Sequence, residues 1–232
     1  EIIVKSGRIG SYMLDNPNGT PGSYYMYGIY VGAHSGGNSN GLRTLKIEGG
    51  QVFSINGGPC IETNYNGNVI ATYVTGGTVQ NIVGGAGVSQ TYGNRIISVT
   101  GGTVANAVAG GSNSYSGDAS PGPMHGKTLV YIGGNATLGA DLVYVNDRNN
   151  DRLYDVEEHG SVFGAGLGQN GSSTRGVVGN SHIIIDGSAT INGSVYGGGN
   201  YGATGTNTDA DTYTLVNILG GTINGSVYGA AN

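Results

Sequence analysis

A short phrase recurs along this chain in fixed order: aliphatic residues, a glycine pair, threonine with an aliphatic residue, then a second valine and more glycine. It reads Val74-Thr75-Gly76-Gly77-Thr78-Val79 followed by Val83-Gly84-Gly85, and returns as Val99-Thr100-Gly101-Gly102-Thr103-Val104 followed by Val108-Ala109-Gly110-Gly111. It closes as Ile218-Leu219-Gly220-Gly221-Thr222-Ile223 followed by Val227-Tyr228-Gly229. In each copy the second valine lies five positions after the threonine, so the phrase repeats in register as well as in composition. One such unit cannot bury its own apolar face, and stacking neighbours is what makes a continuous core. Because its residues are β-branched runs punctuated by glycine, each unit reads as strands and corners.

Aligned on the first aliphatic position before the glycines, the copies fall at Val4, Ile47, Val74, Val99, Ile132, Ile185 and Ile218. This predicts an all-β, single-stranded parallel β-helix (β-solenoid) of about seven coils, built as one domain over residues 1–232. The shortest spacing, Val74 to Val99, is 25 residues, enough for three short strands and their corners. Longer spacings are the same turn with loops inserted, between Gly10 and Ile29, around Ser112 to Lys127, from Val145 to Gly160 and from Asn200 to Thr214. Side chains at alternate positions point inward and stack on their equivalents one coil away, at about 4.8 Å. Val79, Val104, Leu138, Ile191 and Ile223 are expected to form one interior column, and Val83, Val108, Leu142, Val195 and Val227 another. An antiparallel sandwich would need hairpin turns between successive strands. Here whole three-strand phrases repeat in the same order, which favours parallel stacking.

Composition narrows the function classes. Glycine supplies 48 of the 232 residues, roughly three times the usual share of about 7%, yet there is no collagen period. Nine Lys and Arg stand against 14 Asp and Glu, a net charge of −5, and no basic stripe offers itself to nucleic acid. No apolar run is long enough for a membrane span. The start, Glu1-Ile2-Ile3-Val4-Lys5, lacks the pattern of a signal peptide, so the chain reads as mature protein or as a piece of something longer. Cys60 stands alone, which rules out an intrachain disulfide and reads as a small buried filler. Both ends fall inside the repeat pattern, so the chain is expected to be a segment of a longer solenoid or to stack end to end with copies of itself, since an uncapped strand edge is a template for pairing.

The sharpest local signal is acidic. From Asp147 to Glu158, oxygen-bearing residues occupy loop positions 1, 3, 5, 9 and 12. That spacing resembles the calcium loop of EF-hand and dockerin modules. The resemblance implies a Ca²⁺ held by Asp147, Asn149, Asp151, the Leu153 carbonyl, Asp155 and Glu158. Arg152 departs from it, standing where the family has glycine, and no amphipathic helix flanks the loop. The bland alternative is a solvated acidic loop with interleaved arginines. Two glycine-rich stretches, Gly122 to Thr128 and Gly164 to Gly168, superficially suggest nucleotide loops, but neither leads into a helix that could hold phosphate.

Enzymatic β-solenoids that act on polysaccharides cluster carboxylates on one face. Outside the acidic loop the carboxylates are scattered (Asp15, Glu48, Glu62, Asp118, Asp141, Asp186, Asp209 and Asp211), and the histidines show no metal spacing. No catalytic residue is assigned. A threonine column at Thr78, Thr103, Thr190 and Thr222 reads as a ladder along the stack; ice-binding faces normally need two such columns. The chain has 16 tyrosines and no tryptophan, several of them crowded at Tyr12, Tyr24, Tyr25, Tyr27 and Tyr30. Exposed tyrosines stack on sugar rings or anchor protein partners; the simpler role is to cover coil ends and strand faces.

The phrase Gly220 to Gly229, nearly repeated over Gly187 to Gly197, resembles repeats of large secreted or cell-wall adhesin-like bacterial proteins, and loosely those of autotransporter passenger solenoids. The resemblance implies a right-handed helix displayed at the bacterial cell surface or outside the cell, with a non-catalytic structural or binding role. A glycan or a host or cell-surface protein is the implied partner, with no nucleic acid and no membrane insertion. The alternatives are a polysaccharide-active enzyme and a self-assembling fibre subunit.

Overall fold

The computed structural model describes residues 1–10, 28–32, 41–57, 68–85, 91–112, 124–140, 159–167, 177–200, 204 and 212–230. Its regular elements are all strands, and every strand pairing is parallel. The chain is a parallel β-helix. The first sheet has seven strands in chain order: Ile2–Val4, Leu42–Ile47, Val69–Val74, Asn94–Val99, Thr128–Ile132, Ser181–Ile185 and Thr214–Ile218. Their register places Val4, Ile47, Val74, Val99, Ile132, Ile185 and Ile218 one above another, the positions expected from the repeat.

The second sheet carries two ladders. In the first, Arg8–Ile9 pairs with the start of Gln51–Asn56, which pairs with the start of Thr78–Val83, and the series continues through Thr103–Val104, Thr137–Leu138, Thr190–Ile191 and Thr222–Ile223. The expected column of Val79, Val104, Leu138, Ile191 and Ile223 is present, and Thr137 joins the threonine column. The second ladder runs through Ile29–Tyr30, the far ends of Gln51–Asn56 and Thr78–Val83, then Val108–Ala109, Val162–Phe163, Val195–Tyr196 and Val227–Tyr228. A third, smaller sheet stacks Thr91–Tyr92, Met124–His125 and Val177–Val178.

This second ladder corrects the expected column at two places. Val108 stacks on Ile82, not on Val83, because coils two and three cross the corner as one six-residue strand while coil four inserts a residue. The amides of Ala105 and Asn106 bond the carbonyls of Val79 and Gln80, but the Ile82 amide bonds Ala107, which is the signature of a bulge. Val83 therefore pairs with Ala109 and joins a second buried cluster with Phe163, Leu167 and Tyr196. In coil five Val162 stacks between Val108 and Val195, the place expected for Leu142, which itself lies outside the described residues. The described flanks of the insert there meet at one corner, since a Cβ placed on Gly139 would lie 2.8 Å from the Gly160 Cα; Val145, the expected start, lies outside the described residues.

Alternation fills the space between the sheets. Ile47, Val74, Val99, Ile132, Ile185, Val104, Leu138 and Ile191 are fully buried in one continuous core, each worth about 1.5–3 kcal/mol. Glycine holds the corners because coils approach too closely for any side chain. Gly77 and Gly102 have φ of 77° and 75°, a left-handed region costly for other residues. A Cβ on Gly102 would also sit 2.5 Å from the Gly77 carbonyl oxygen. Across the coil, the hydroxyls of Thr128, Ser181 and Thr214 donate to the carbonyls of Gly164, Gly197 and Gly229, tying the first strand to the end of the third in the same coil.

Ile132→Ala, which opens a cavity in the inward column, is expected to cost about 2–5 kcal/mol. Ile184→Ala, one coil on and facing outward, is expected to cost under about 1 kcal/mol. Urea denaturation of the two variants checks the facing, and equal losses would contradict it.

Candidate functional site

Seven parallel strands have two faces, and the outer one is also rich in apolar side chains. One outward column runs Ile3, Lys46, Tyr73, Ser98, Tyr131, Ile184, Asn217; the next includes Thr44, Ile96, Leu129, His182 and Leu215. Strands such as Val69–Val74 and Thr128–Ile132 are apolar on both faces for this reason. Tyr73, Tyr131 and Ile184 are half-buried and Leu215 is exposed.

Tyr131 is the best-defined element of this face. Its ring folds down onto its own strand: a Cβ on Gly133 would lie 2.6 Å from both Cε1 and the phenol oxygen. Gly133 shows no left-handed backbone, so what its missing side chain provides is room for that ring. The Tyr131 hydroxyl then reaches the next coil and donates to Asp186 Oδ2 at 3.2 Å. Partial burial, followed by the Asp186 charge and this hydrogen bond, raises the phenol above its ordinary pKa, so it stays neutral and donating. At the lower end of the same face Lys46 pairs with Glu1 at 2.8 Å, and Lys5 with Glu48 at 3.9 Å; such exposed pairs contribute little to stability.

The remaining aromatic groups form ladders. Phe163, Tyr196 and Tyr228 stack with centroids 4.9 and 4.8 Å apart and ring planes within 4°. That spacing is the rung repeat itself, imposed on the rings by strand register. On the third sheet Tyr92 stacks on His125 at 4.6 Å. Of the tyrosines crowded in the first insert, Tyr30 lies in the second ladder and is exposed, while Tyr12, Tyr24, Tyr25 and Tyr27 lie outside the described residues.

All six proposed calcium ligands, Asp147, Asn149, Asp151, Leu153, Asp155 and Glu158, also lie outside the described residues, as does Cys60. Among the described residues no three His, Cys, Asp or Glu side chains gather closely enough to hold a metal. Of the scattered carboxylates, Glu48 and Asp186 are described, at equivalent corners of the first sheet with three strands between them, and Asp186 is engaged with Tyr131.

One buried cation escaped the sequence reading. Arg95 occupies the inward position held by Ile70, Thr128 and Ser181 in neighbouring coils, and it is 1% exposed. Its Nε donates to Gly84 O at 2.6 Å, and its Nη1 to Asn94 O at 3.1 Å and Tyr92 O at 3.3 Å. It does with a guanidinium what the hydroxyls do in later coils: it satisfies corner carbonyls that would otherwise be buried unpaired. Its parity was a usable signal, since Arg95, Ile97 and Val99 share one face of the strand.

No protein-family model matches this chain, and no curated protein or solved structure is similar enough to count as a match.

Burial alone holds the His125 imidazole below its ordinary value of 6.5. The folded state thus prefers the neutral ring, and its contribution to stability is complete above that value and lost as pH falls through the lower folded one. Melting temperature is expected to drop between about pH 7 and 5 more steeply in the native protein than in His125→Phe, which keeps an aromatic ring against Tyr92. Parallel pH profiles for the two would show that His125 does not set this sensitivity.

Proposed function

We propose that this chain is a non-catalytic, adhesin-like β-solenoid of the bacterial cell surface or extracellular space, with a structural or ligand-binding role toward a glycan or a host or cell-surface protein. The observation that carries the reading is the separation of framework from insert. Seven coils share one core, and the longest acidic insert leaves and rejoins at a single corner between Gly139 and Gly160. A rod of this kind holds loops and faces at set distances along its axis without needing them for stability. The calcium loop is part of the proposal: an ion held by Asp147 to Glu158 would rigidify an insert whose two ends already meet.

The test is binding of the purified chain to a glycan array and to intact cells, with calcium and with chelator. Saturable binding without product formation is expected; release of shortened or unsaturated sugar from any polysaccharide would move the protein to the enzyme class. Calcium is expected to raise the melting temperature and Asp151→Ala to abolish that rise, and indifference to both calcium and chelator would remove the metal from the proposal.

A second reading, end-to-end self-association, is favoured by the seventh coil. Ile218 and Val227 are 49% and 44% exposed there, whereas Ile185 and Val195 one coil earlier are fully buried. Val4 and Ile29, the equivalents in the first coil, are 6% and 8% exposed, while Ile2, paired with the fully buried Leu45, is 41% exposed. Sedimentation velocity decides it: concentration-dependent assembly that Val227→Lys abolishes is expected, and a monomer at every concentration removes the idea.

A further inference from the structure

The outer column of the first sheet places Tyr73 and Tyr131 two coils apart with Ser98 between them. Two rungs correspond to about 9–10 Å along the helix axis. That distance is close to the disaccharide repeat of an extended β-1,4-linked sugar chain, in which alternate rings present the same face. Tyr131 is laid down on the strand by the absent side chain of Gly133 and tethered through its hydroxyl to Asp186, so its position is set before any ligand arrives. The column from Tyr73 through Ser98, Tyr131 and Ile184 to Asn217 carries no formal charge. Below Tyr73 the column continues to Lys46, whose charge is paired with Glu1, and the Asp186 carboxylate stands beside Tyr131, so an acidic polysaccharide finds no unpaired counter-charge there, whereas an uncharged one loses nothing.

We propose that this column is a binding platform for an extended, uncharged β-1,4-linked glycan lying along the solenoid axis. Alternate sugar rings stack on Tyr73 and Tyr131, and the ring between them passes over Ser98. Tyrosine suits the task because it offers an apolar ring to the sugar's C–H face and a polar tip to its surroundings, at little cost in side-chain ordering. Gly133 and Asp186 act as positioning residues: they hold the Tyr131 ring without touching sugar. The inference rests on the glycan-binding role proposed above and gives it a site and a ligand class.

The experiment is titration calorimetry with cellohexaose and chitohexaose, using polygalacturonate and a linear α-glucan as comparators. Binding to one or both β-1,4-linked hexasaccharides is expected, with neither comparator bound. Tyr73→Ala and Tyr131→Ala are each expected to weaken binding about two- to tenfold, with the losses multiplying in the double variant because the rings are far enough apart to act independently. Gly133→Val is expected to weaken binding to the same degree as Tyr131→Ala while leaving the tyrosine in the chain, an outcome that a purely local role for the ring would not produce. Should Gly133→Val fail to fold, the tyrosine variants, checked by their melting temperatures, still decide the site. Affinity unchanged in a folded Tyr73→Ala/Tyr131→Ala double variant overturns the platform but leaves the broader binding role standing. Equal affinity for polygalacturonate or the α-glucan overturns the ligand class. A native protein that binds no sugar on array or in solution overturns both this inference and the glycan arm of the proposed function.

Discussion

Each coil of this protein is held by the coils above and below it, and almost every other feature follows from that contact. Parallel strands in register continue three long backbone ladders and one shorter one from coil to coil, while aliphatic side chains one rung apart close over the space between the sheets. A single coil of some 25 residues has too little apolar surface to offset the entropy of ordering it. Stacked between neighbours, residues such as Val99, Ile132 and Ile185 are buried completely. The identity of equivalent positions matters more than any one residue, because a column is only as continuous as its worst-fitting member.

The same contact dictates where glycine must stand. At corners such as Gly77 and Gly102 the carbonyl of the neighbouring coil occupies the place a Cβ would take. Corner carbonyls then need donors, and the chain supplies them from the first inward position of the facing strand: hydroxyls at Thr128 and Ser181 and a guanidinium at Arg95 inside the stack, and the Thr214 hydroxyl at its exposed last coil. Arg95 differs in reaching Gly84 of the preceding coil as well as the local carbonyls of Tyr92 and Asn94, so it fastens two coils together. What remains outside these demands is the outer surface of the sheets and the inserts at the corners. There the residues are free to vary without opening the core, and there a binding role has room to reside.

The column from Val4 to Ile218 was legible in the chain because period and register coincide: an aliphatic residue recurs just before each glycine corner. The column of the third strand was less so. Counting five residues from threonine to valine picks out Val83, but coils two and three cross the corner without the bulge of coil four, so Ile82 takes the inward place and Val83 turns to the second cluster. That Val162 holds the rung expected for Leu142 has a related reason. An aliphatic residue at the right count is indistinguishable from the true rung when the flanks of an insert meet at the corner itself, and only pairing between Val108 and Val162 identifies the rung. On the candidate face the reverse holds: Tyr73 and Tyr131 are plain in the sequence, but nothing in their spacing of 58 residues shows that they share a column two rungs apart.

By itself the sequence determined that the chain is a stack of glycine-cornered β units with an aliphatic lumen, because the chemistry of a repeated, alternating phrase admits few other ways to bury its apolar face. It also marked the acidic stretch from Asp147 to Glu158 as the place to look for a cation. Only the tertiary structure decided which residues meet across coils: that Ile82 and not Val83 lies over Val108, that Arg95 reaches back to Gly84, and that Gly133 is a bed for the Tyr131 ring. Those contacts join residues far apart in the chain, and a shift of one residue at a corner reverses every side chain beyond it, so local pattern alone leaves them open.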